Sequence, residues 1–263
     1  METLAVLAHP WQEHGVAVFA FAAVWWFIFL LARYIFSHTQ LPASKWSDAA
    51  SRLTGATHAI VCVALALYAL FETDSPIHTD KLYGFSSRAT TALIVSAGFV
   101  SATDECLLTN ARRFFVWDAM IVAVLQDGIP FWIHAYACIF VYINCLYPYM
   151  QFHALCFLLF EASTPILHTR FLLILFKRAD TILFKFTELA LFITFFLARI
   201  VFGVLATYDW MKTTFPSLSE GTAPSTLVLS LYYVINFALM CLNFYWFSLM
   251  AAKAFAPAKK EKK

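Results

Sequence analysis

The chain has 263 residues, of which 62% are apolar and 13% are charged. Ordinary soluble domains contain about 45–50% apolar and about 25% charged residues, so this composition excludes a soluble domain and indicates an integral membrane protein. The formal net charge of +2 argues against a nucleic-acid partner, which needs a clustered basic face.

Seven apolar segments are long enough to cross a bilayer as helices, because a hydrocarbon core of about 30 Å needs about 20 residues. The sequence therefore predicts an all-α membrane protein. The segment 114–126 is also apolar but only thirteen residues long, so it is an interfacial segment, a lead-in to the fourth span or an eighth span. The predicted spans are 16–36, 54–71, 89–108, 128–148, 152–176, 182–207 and 225–250.

The distribution of Lys and Arg favours seven spans over eight. Seven spans place thirteen of these residues on one side and three on the other, whereas eight give six and ten. Because the retained side of a membrane collects positive charge, we expect the C-terminus on the positive side, the cytosol or the mitochondrial matrix. We expect three regions: 1–44 with the first helix, a six-helix domain over 45–252, and a basic tail over 253–263.

Ionisable side chains within apolar segments are costly, and they indicate function by default. His153 and Asp104 stand near predicted span ends, where a long or polar side chain reaches the interface, so they are the least informative. The complete set is His58, Asp104, Asp118, His134, His153, Glu161, His168, Arg170 and Arg199.

The stretch F-E-A-S-T-P-I-L-H-T-R-F-L-L, residues 160–173, concentrates polar groups in an apolar span. Pro165 has no N–H, so the carbonyl of Glu161 is expected to lose its helical partner. Hydroxyls such as those of Ser163 and Thr164 commonly satisfy the backbone groups that a kink frees. Glu161 and His168 fall on one helical face but two turns apart, about 10 Å, too far for a hydrogen bond.

A charged Glu161 therefore needs a partner from another helix. Arg199 is the cation of comparable depth, and we expect the two to meet and to brace the kink at Pro165. The alternative is a neutral Glu161 that is hydrogen-bonded without an ion pair.

Other chemistry has little support in the sequence. No H-x-x-H, H-x-x-x-H or H-H pattern occurs and no cluster suits zinc, so we expect neither a metal nor a cofactor. The six cysteines lie almost entirely in apolar runs and are expected to pack as small apolar side chains. Nucleophilic catalysis lacks a G-x-S-x-G motif, and no cysteine stands next to a histidine.

Four ordered motifs resemble the TLC-domain family, which includes ceramide synthases, translocon-associated membrane proteins and proteins linked to membrane lipid composition. E-A-S-T-P-I-L-H-T-R-F (161–171) is similar to its E-x-S-T-P-x-x-N-x-R-W signature. R-L-T-G-A-T-H-A (52–59), F-L-A-R-I (196–200) and L-N-F-Y-W-F (242–247) are similar to its second, sixth and last spans. The resemblance implies a seven-transmembrane-helix TLC-type bundle.

The departures from the family pattern bear on function. Many relatives carry a His-His pair implicated in acyl transfer, whereas F-W-I-H-A-Y (131–136) retains His134 with Ile133 in the first position. His168 replaces the usual Asn, and the family's acidic residue of the third span corresponds to Asp104 or Asp118.

The incomplete pair favours a non-catalytic protein that binds phospholipid and serves as an accessory subunit of a larger membrane complex. The alternatives are an acyl-CoA-dependent lipid acyltransferase of ceramide-synthase type, with His134, Glu161 and His168 as catalytic candidates, a regulator of membrane lipid composition, or a transporter. The resemblance implies the endoplasmic reticulum, and a subunit role would fit the mitochondrial inner membrane. The expected lipid-binding or structural polar residues are His58, Asp118, Glu161, Pro165, His168, Arg170 and Arg199.

Overall fold

A computed structural model describes residues 2–108, 129–147 and 149–254, and their regular structure is helical. A 3₁₀ turn precedes the second helix at Ala43–Lys45. The helices are α1 (Glu2–Ser37), α2 (Trp46–Leu70), α3 (Pro76–Thr79), α4 (Ser87–Leu108), α5 (Ile129–Asn144), α6 (Gln151–Leu158), α7 (Thr164–Leu175), α8 (Ile182–Phe195), α9 (Phe202–Ser219) and α10 (Thr226–Ala254).

The prediction of an all-α membrane protein is confirmed, but the count of seven spans is not. The predicted span 89–108 corresponds to α4, which carries Asp104 and Glu105 near its end. The predicted span 128–148 corresponds to α5, and the residues directly before Ile129 lie outside the described ranges. Five stretches of the described residues are long and apolar enough to cross a membrane: Leu4–Ser37, Ala43–Leu70, Gln151–Leu175, Ile182–Ser219 and Thr226–Ala254.

The first helix begins well before residue 16, where the sequence predicted the first span. His9 and Glu13 lie one turn apart and approach to 3.3 Å, so these polar residues stabilise the helix instead of ending it. The segment 114–126, Asp118 and the tail from residue 255 lie outside the described residues.

Helices α1, α2 and α4 pack into one closely spaced group. Small side chains on α2, including Ala59 and Ala66, are fully buried and allow neighbouring helices to approach. A Cβ at Gly98 of α4 would lie 3.0 Å from the backbone oxygen of Val18 in α1. Glycine is therefore required at this crossing.

The outer surface is apolar, as expected for helices that face lipid. Phe19 is 63% exposed, Phe186 68% and Phe237 73%. Soluble monomers rarely expose apolar surface on this scale.

Two irregular segments interrupt the helices and face each other. Leu159–Ser163 is a 3₁₀ segment between α6 and α7, and Phe196–Val201 is a π-helical segment between α8 and α9. Pro165 stands in the first turn of α7, where its missing N–H costs nothing. As expected, the Glu161 carbonyl has no α-helical partner at Pro165, and the Thr164 N–H donates to it instead in a 3₁₀ turn.

Candidate functional site

A cavity lies between α5, α6, α9 and α10 and reaches the two irregular segments. Along α10 its lining extends from Tyr232 to Asn243, about 16 Å at 1.5 Å per residue. Much of the wall is apolar, with side chains such as Val141, Phe157 and Leu239. Polar groups from several helices converge at each end.

The inner end of the cavity is built around Arg199, which is 6% exposed. Within the described residues, this guanidinium group donates to Ser163 Oγ at 3.1 Å, Thr164 Oγ1 at 3.1 Å, Glu161 Oε1 at 3.3 Å and Asn243 Oδ1 at 3.4 Å. A buried charge persists only when it is paired and hydrogen-bonded. This network meets both conditions.

The predicted contact between Glu161 and Arg199 is therefore confirmed. The role expected of the two neighbouring hydroxyls needs correction: both accept hydrogen bonds from Arg199. Ser163 Oγ also reaches a backbone carbonyl, that of Phe160, at 3.4 Å. Asn243 completes the network from α10. The sequence analysis did not name it as a site residue, although it stands in the L-N-F-Y-W-F motif (242–247) that resembles the last span of the family.

His134 lines the same cavity from α5. Its Nε2 lies 3.7 Å from Cys138 Sγ, one turn further along the helix, and Cys138 also lines the cavity. The absence of directly adjacent Cys and His in the sequence did not reveal this pair, whose members stand four residues apart. The same spacing brings His58 Nε2 within 3.0 Å of Cys62 Sγ on α2.

His58 of α2 is absent from the described cavity lining. It is 6% exposed, and its ring stacks on Phe99 with centroids 3.8 Å apart and meets Trp25 edge-on. His58 is therefore packed among aromatic rings, whereas His134 faces the cavity.

His168 faces α2 and is absent from the described cavity lining. Its Nε2 occupies the space beside Gly55, where an added Cβ would be only 2.5 Å away. His168 thus packs α7 tightly against α2.

The remaining predicted residues lie apart from the cavity. Arg170 pairs with Glu188 of α8 at 3.3 Å, and Lys253 of α10 binds the same carboxylate, which ties three helices together. Pro165 acts through the backbone, as described above. Asp118 lies outside the described residues, and the side chain of Asp104 is likewise not described.

A second polar cluster, which the sequence did not predict, lies beside the opposite end of the cavity, which His153 reaches. Lys81 Nζ donates to Asp209 at 3.1 Å and 2.8 Å, and His153 Nε2 lies 3.3 Å from Asp209 Oδ2. His153 is 2% exposed and lines the cavity, so the expectation that it reaches the membrane surface is wrong. Its position in the first turn of α6 directs the ring inward.

Comparison with known proteins identifies the fold family. The TLC-domain family model matches residues 48–252. The chain belongs to the TLC-domain family. An uncharacterized TLC domain-containing protein of Schizosaccharomyces pombe is 28% identical over 241 residues, covering 89% of this chain and 75% of that protein. One of Saccharomyces cerevisiae is 31% identical over 156 residues, covering 57% of this chain and 48% of that protein. No solved structure matches.

Membership in the TLC-domain family confirms the resemblance read from the four motifs. The two motifs at 161–171 and 196–200 supply Glu161 and Arg199 of the inner network. Both relatives are themselves uncharacterized, so the comparison gives the family and no activity. Among the described residues, no three His, Cys, Asp or Glu side chains group to hold a metal ion, and the expectation of no metal stays a prediction.

Proposed function

We propose that this protein binds a membrane lipid and holds one acyl chain in the cavity between α5, α6, α9 and α10. The observation that carries the proposal is the apolar wall of this cavity within a membrane-embedded bundle. Burial of each methylene of a chain stabilises the complex by about 0.8 kcal/mol relative to water. Ordered lipid also fills space that closely packed helices would otherwise leave empty.

The dimensions of the cavity support a single chain. Its lining follows α10 for about 16 Å, parallel to the direction in which bilayer chains run. Phe157 and Phe160 form part of the wall near the inner end, and aromatic rings offer large contact area to a chain. The Arg199 network forms the base of the cavity and fixes its depth.

The lipid-binding role needs no catalysis. Ile133 replaces one histidine of the family pair, and Arg199 has its hydrogen-bond donors engaged by four side chains within the described residues. Such a protein acts as an accessory subunit of a membrane complex, in the endoplasmic reticulum or the mitochondrial inner membrane. Seven spans with the C-terminus on the positive side belong to the same proposal.

Two matched substitutions on α10 test lipid binding. Ile235 lines the cavity, whereas Val234, its neighbour, is 65% exposed on the outer face. Ile235→Trp fills the cavity and is expected to remove most of the lipid that co-purifies through detergent exchange. Val234→Trp should leave it unchanged. Quantitative lipid mass spectrometry reads the ratio of lipid to protein, and equal ratios in both variants would contradict the proposal.

A second candidate function is acyl transfer to a lipid. His134 and Glu161 both line the cavity. A histidine can accept the proton of a lipid hydroxyl while the hydroxyl oxygen attacks the thioester of acyl-CoA, and CoA leaves as a thiolate that takes up the proton. This function predicts acyl-CoA-dependent turnover in the purified protein, lost in His134→Ala and kept in His168→Ala, because His168 lies away from the cavity. Absence of turnover together with comigration in a stable complex favours the accessory role.

A further inference from the structure

The polar cluster of Lys81, Asp209 and His153 lies where two connections between helices meet. Lys81 stands in the connection that leads into α4, and the hydroxyl of the nearby Tyr83 donates to the Thr222 carbonyl in the connection between α9 and α10. Two interhelical connections therefore meet at this end of the bundle. Because connections between membrane-spanning helices stand near the headgroup region, we expect the cluster at that depth.

The residues around Asp209 support this depth. Tyr208 precedes it in the chain and is 67% exposed. Tyr and Trp are enriched where membrane proteins cross the headgroup region. The stretch Ile182–Ser219 has 38 residues, far more than the about 20 needed to cross the hydrocarbon core, so its final turns extend past that core.

Two of the three side chains are accessible from outside the bundle, and the third faces the cavity. The side chains of Lys81 and Asp209 are 34% and 42% exposed, whereas that of His153 is 3% exposed and lines the cavity. Within the described residues, neither ring nitrogen of His153 makes a well-aligned hydrogen bond. A buried polar group without such a partner is costly, and here it stands where a ligand in the cavity would pass.

We propose that this cluster recognises the headgroup of a zwitterionic phospholipid that carries a primary ammonium, as in phosphatidylethanolamine. The phosphate accepts hydrogen bonds from Lys81 and from His153, and the ammonium donates to Asp209. The Lys81–Asp209 pair and the phosphate–ammonium pair then lie antiparallel, so each charge meets its opposite. This inference rests on the proposed function, because the acyl chain of the same lipid occupies the cavity.

The charges of the cluster disfavour other headgroups. An anionic headgroup satisfies Lys81 but brings negative charge against Asp209, and an uncharged diacylglycerol satisfies neither. A quaternary ammonium, as in phosphatidylcholine, has no N–H to donate to Asp209. Charge-assisted hydrogen bonds are about twice as strong as neutral ones. The N–H groups of the ammonium therefore favour phosphatidylethanolamine over a phosphatidylcholine with the same acyl chains.

A competition experiment with the full-length protein tests the headgroup preference. The delipidated protein is equilibrated in detergent with equal amounts of phosphatidylethanolamine, phosphatidylcholine, phosphatidylglycerol and diacylglycerol of the same chains, and native mass spectrometry counts the bound species. We expect phosphatidylethanolamine to exceed phosphatidylcholine by about tenfold, the factor that 1.4 kcal/mol gives. Asp209→Asn should bring this ratio close to one.

The chain offers a matched control at the other end of the bundle. Glu188 is a 34% exposed carboxylate paired with Arg170 and Lys253, so Glu188→Gln removes a similar ion pair and should keep the tenfold preference. Lys81→Gln should raise the bound share of diacylglycerol at the expense of all three phospholipids.

The outcomes distinguish headgroup recognition from the underlying proposal that the cavity binds a lipid. Equal binding of all four lipids by the wild-type protein, or an unchanged preference in Asp209→Asn, overturns headgroup recognition and leaves lipid binding in place. Absence of any bound lipid in the wild-type protein overturns both. The wild-type measurement alone decides the matter if a variant fails to fold.

Discussion

Two ion pairs lie near the two ends of one cavity, and they differ in burial and in bonding. The inner pair, Glu161 with Arg199, has side chains that are 19% and 8% exposed, and its guanidinium group also bonds two hydroxyls and an amide. The outer pair, Lys81 with Asp209, has side chains that are 34% and 42% exposed, and it contacts a histidine that lacks a well-aligned bond in the described structure. The inner pair is therefore held by several bonds from neighbouring helices, whereas the outer pair is open on one side.

This contrast shows why the presence of an ion pair says little about its role. Removing one partner of a buried pair leaves an uncompensated charge and costs about 3–5 kcal/mol. An exposed pair contributes about 0–1 kcal/mol, so its groups can exchange partners at little cost. We therefore assign bracing to the inner pair and recognition to the outer pair.

The largest effect is expected from the inner pair. Arg199→Ala should lower the free energy of unfolding by about 3–5 kcal/mol, because Glu161 then stays buried without its cation. Glu161→Ala should destabilise the protein more than the double variant Glu161→Ala/Arg199→Ala does. Denaturant unfolding in mixed micelles measures the three values as a double-mutant cycle, and additive losses would show that the two groups do not interact.

An intermediate effect is expected where α7, which follows the Glu161 turn, packs on α2. Gly55→Ala places a methyl group against His168 and should cost about 1–3 kcal/mol, as overpacking usually does. In the His168→Ala background the same change should become stabilising by up to about 1 kcal/mol, the helix-propensity difference between the two residues.

Gly15→Ala is the control for this packing, because the nearest atom to its added Cβ would be 3.7 Å away, in Trp11. It should not destabilise the protein. A cost for Gly55→Ala that persists without the His168 ring would contradict the assigned contact.

The smallest effect is expected from the outer pair. Lys81→Gln and Asp209→Asn should each change the free energy of unfolding by no more than about 1 kcal/mol in detergent without added phospholipid. Addition of phosphatidylethanolamine should stabilise the wild-type protein more than either variant. A loss as large as that of Arg199→Ala would erase the distinction between the two ends.

The sequence predicted the inner end well because its parts are rare in apolar segments. A glutamate four residues before a proline and an arginine of similar depth in another span can be recognised from the sequence alone. Together they predicted the contact between Glu161 and Arg199. The conformation of the backbone was not predictable in the same way. A periodic pattern assumes a continuous α-helix, whereas residues 159–163 form a 3₁₀ segment and residues 196–201 a π-helical segment.

The cluster of Lys81, Asp209 and His153 was not predicted, because nothing in the sequence around these residues distinguishes them. Lys81 and Asp209 are separated by 128 residues and stand near segment ends, where charged residues are common. His153 was assigned to the surface by the same reasoning, although its orientation in the first turn of α6 buries it. The packing of α6 against α9 brings His153 and Asp209 together, and Lys81 reaches them from the connection before α4.

The central claim, that an acyl chain occupies the cavity, is tested most directly by photo-crosslinking in nanodiscs. A phospholipid with a diazirine at mid-chain is activated, and mass spectrometry maps the labelled residues of α10. We predict labels on the cavity-facing Ile235 and Leu239 that an excess of unlabelled phosphatidylethanolamine competes away, while labels on outward residues such as Phe237 persist. Labelling confined to Phe237 and the other outward residues would contradict the account.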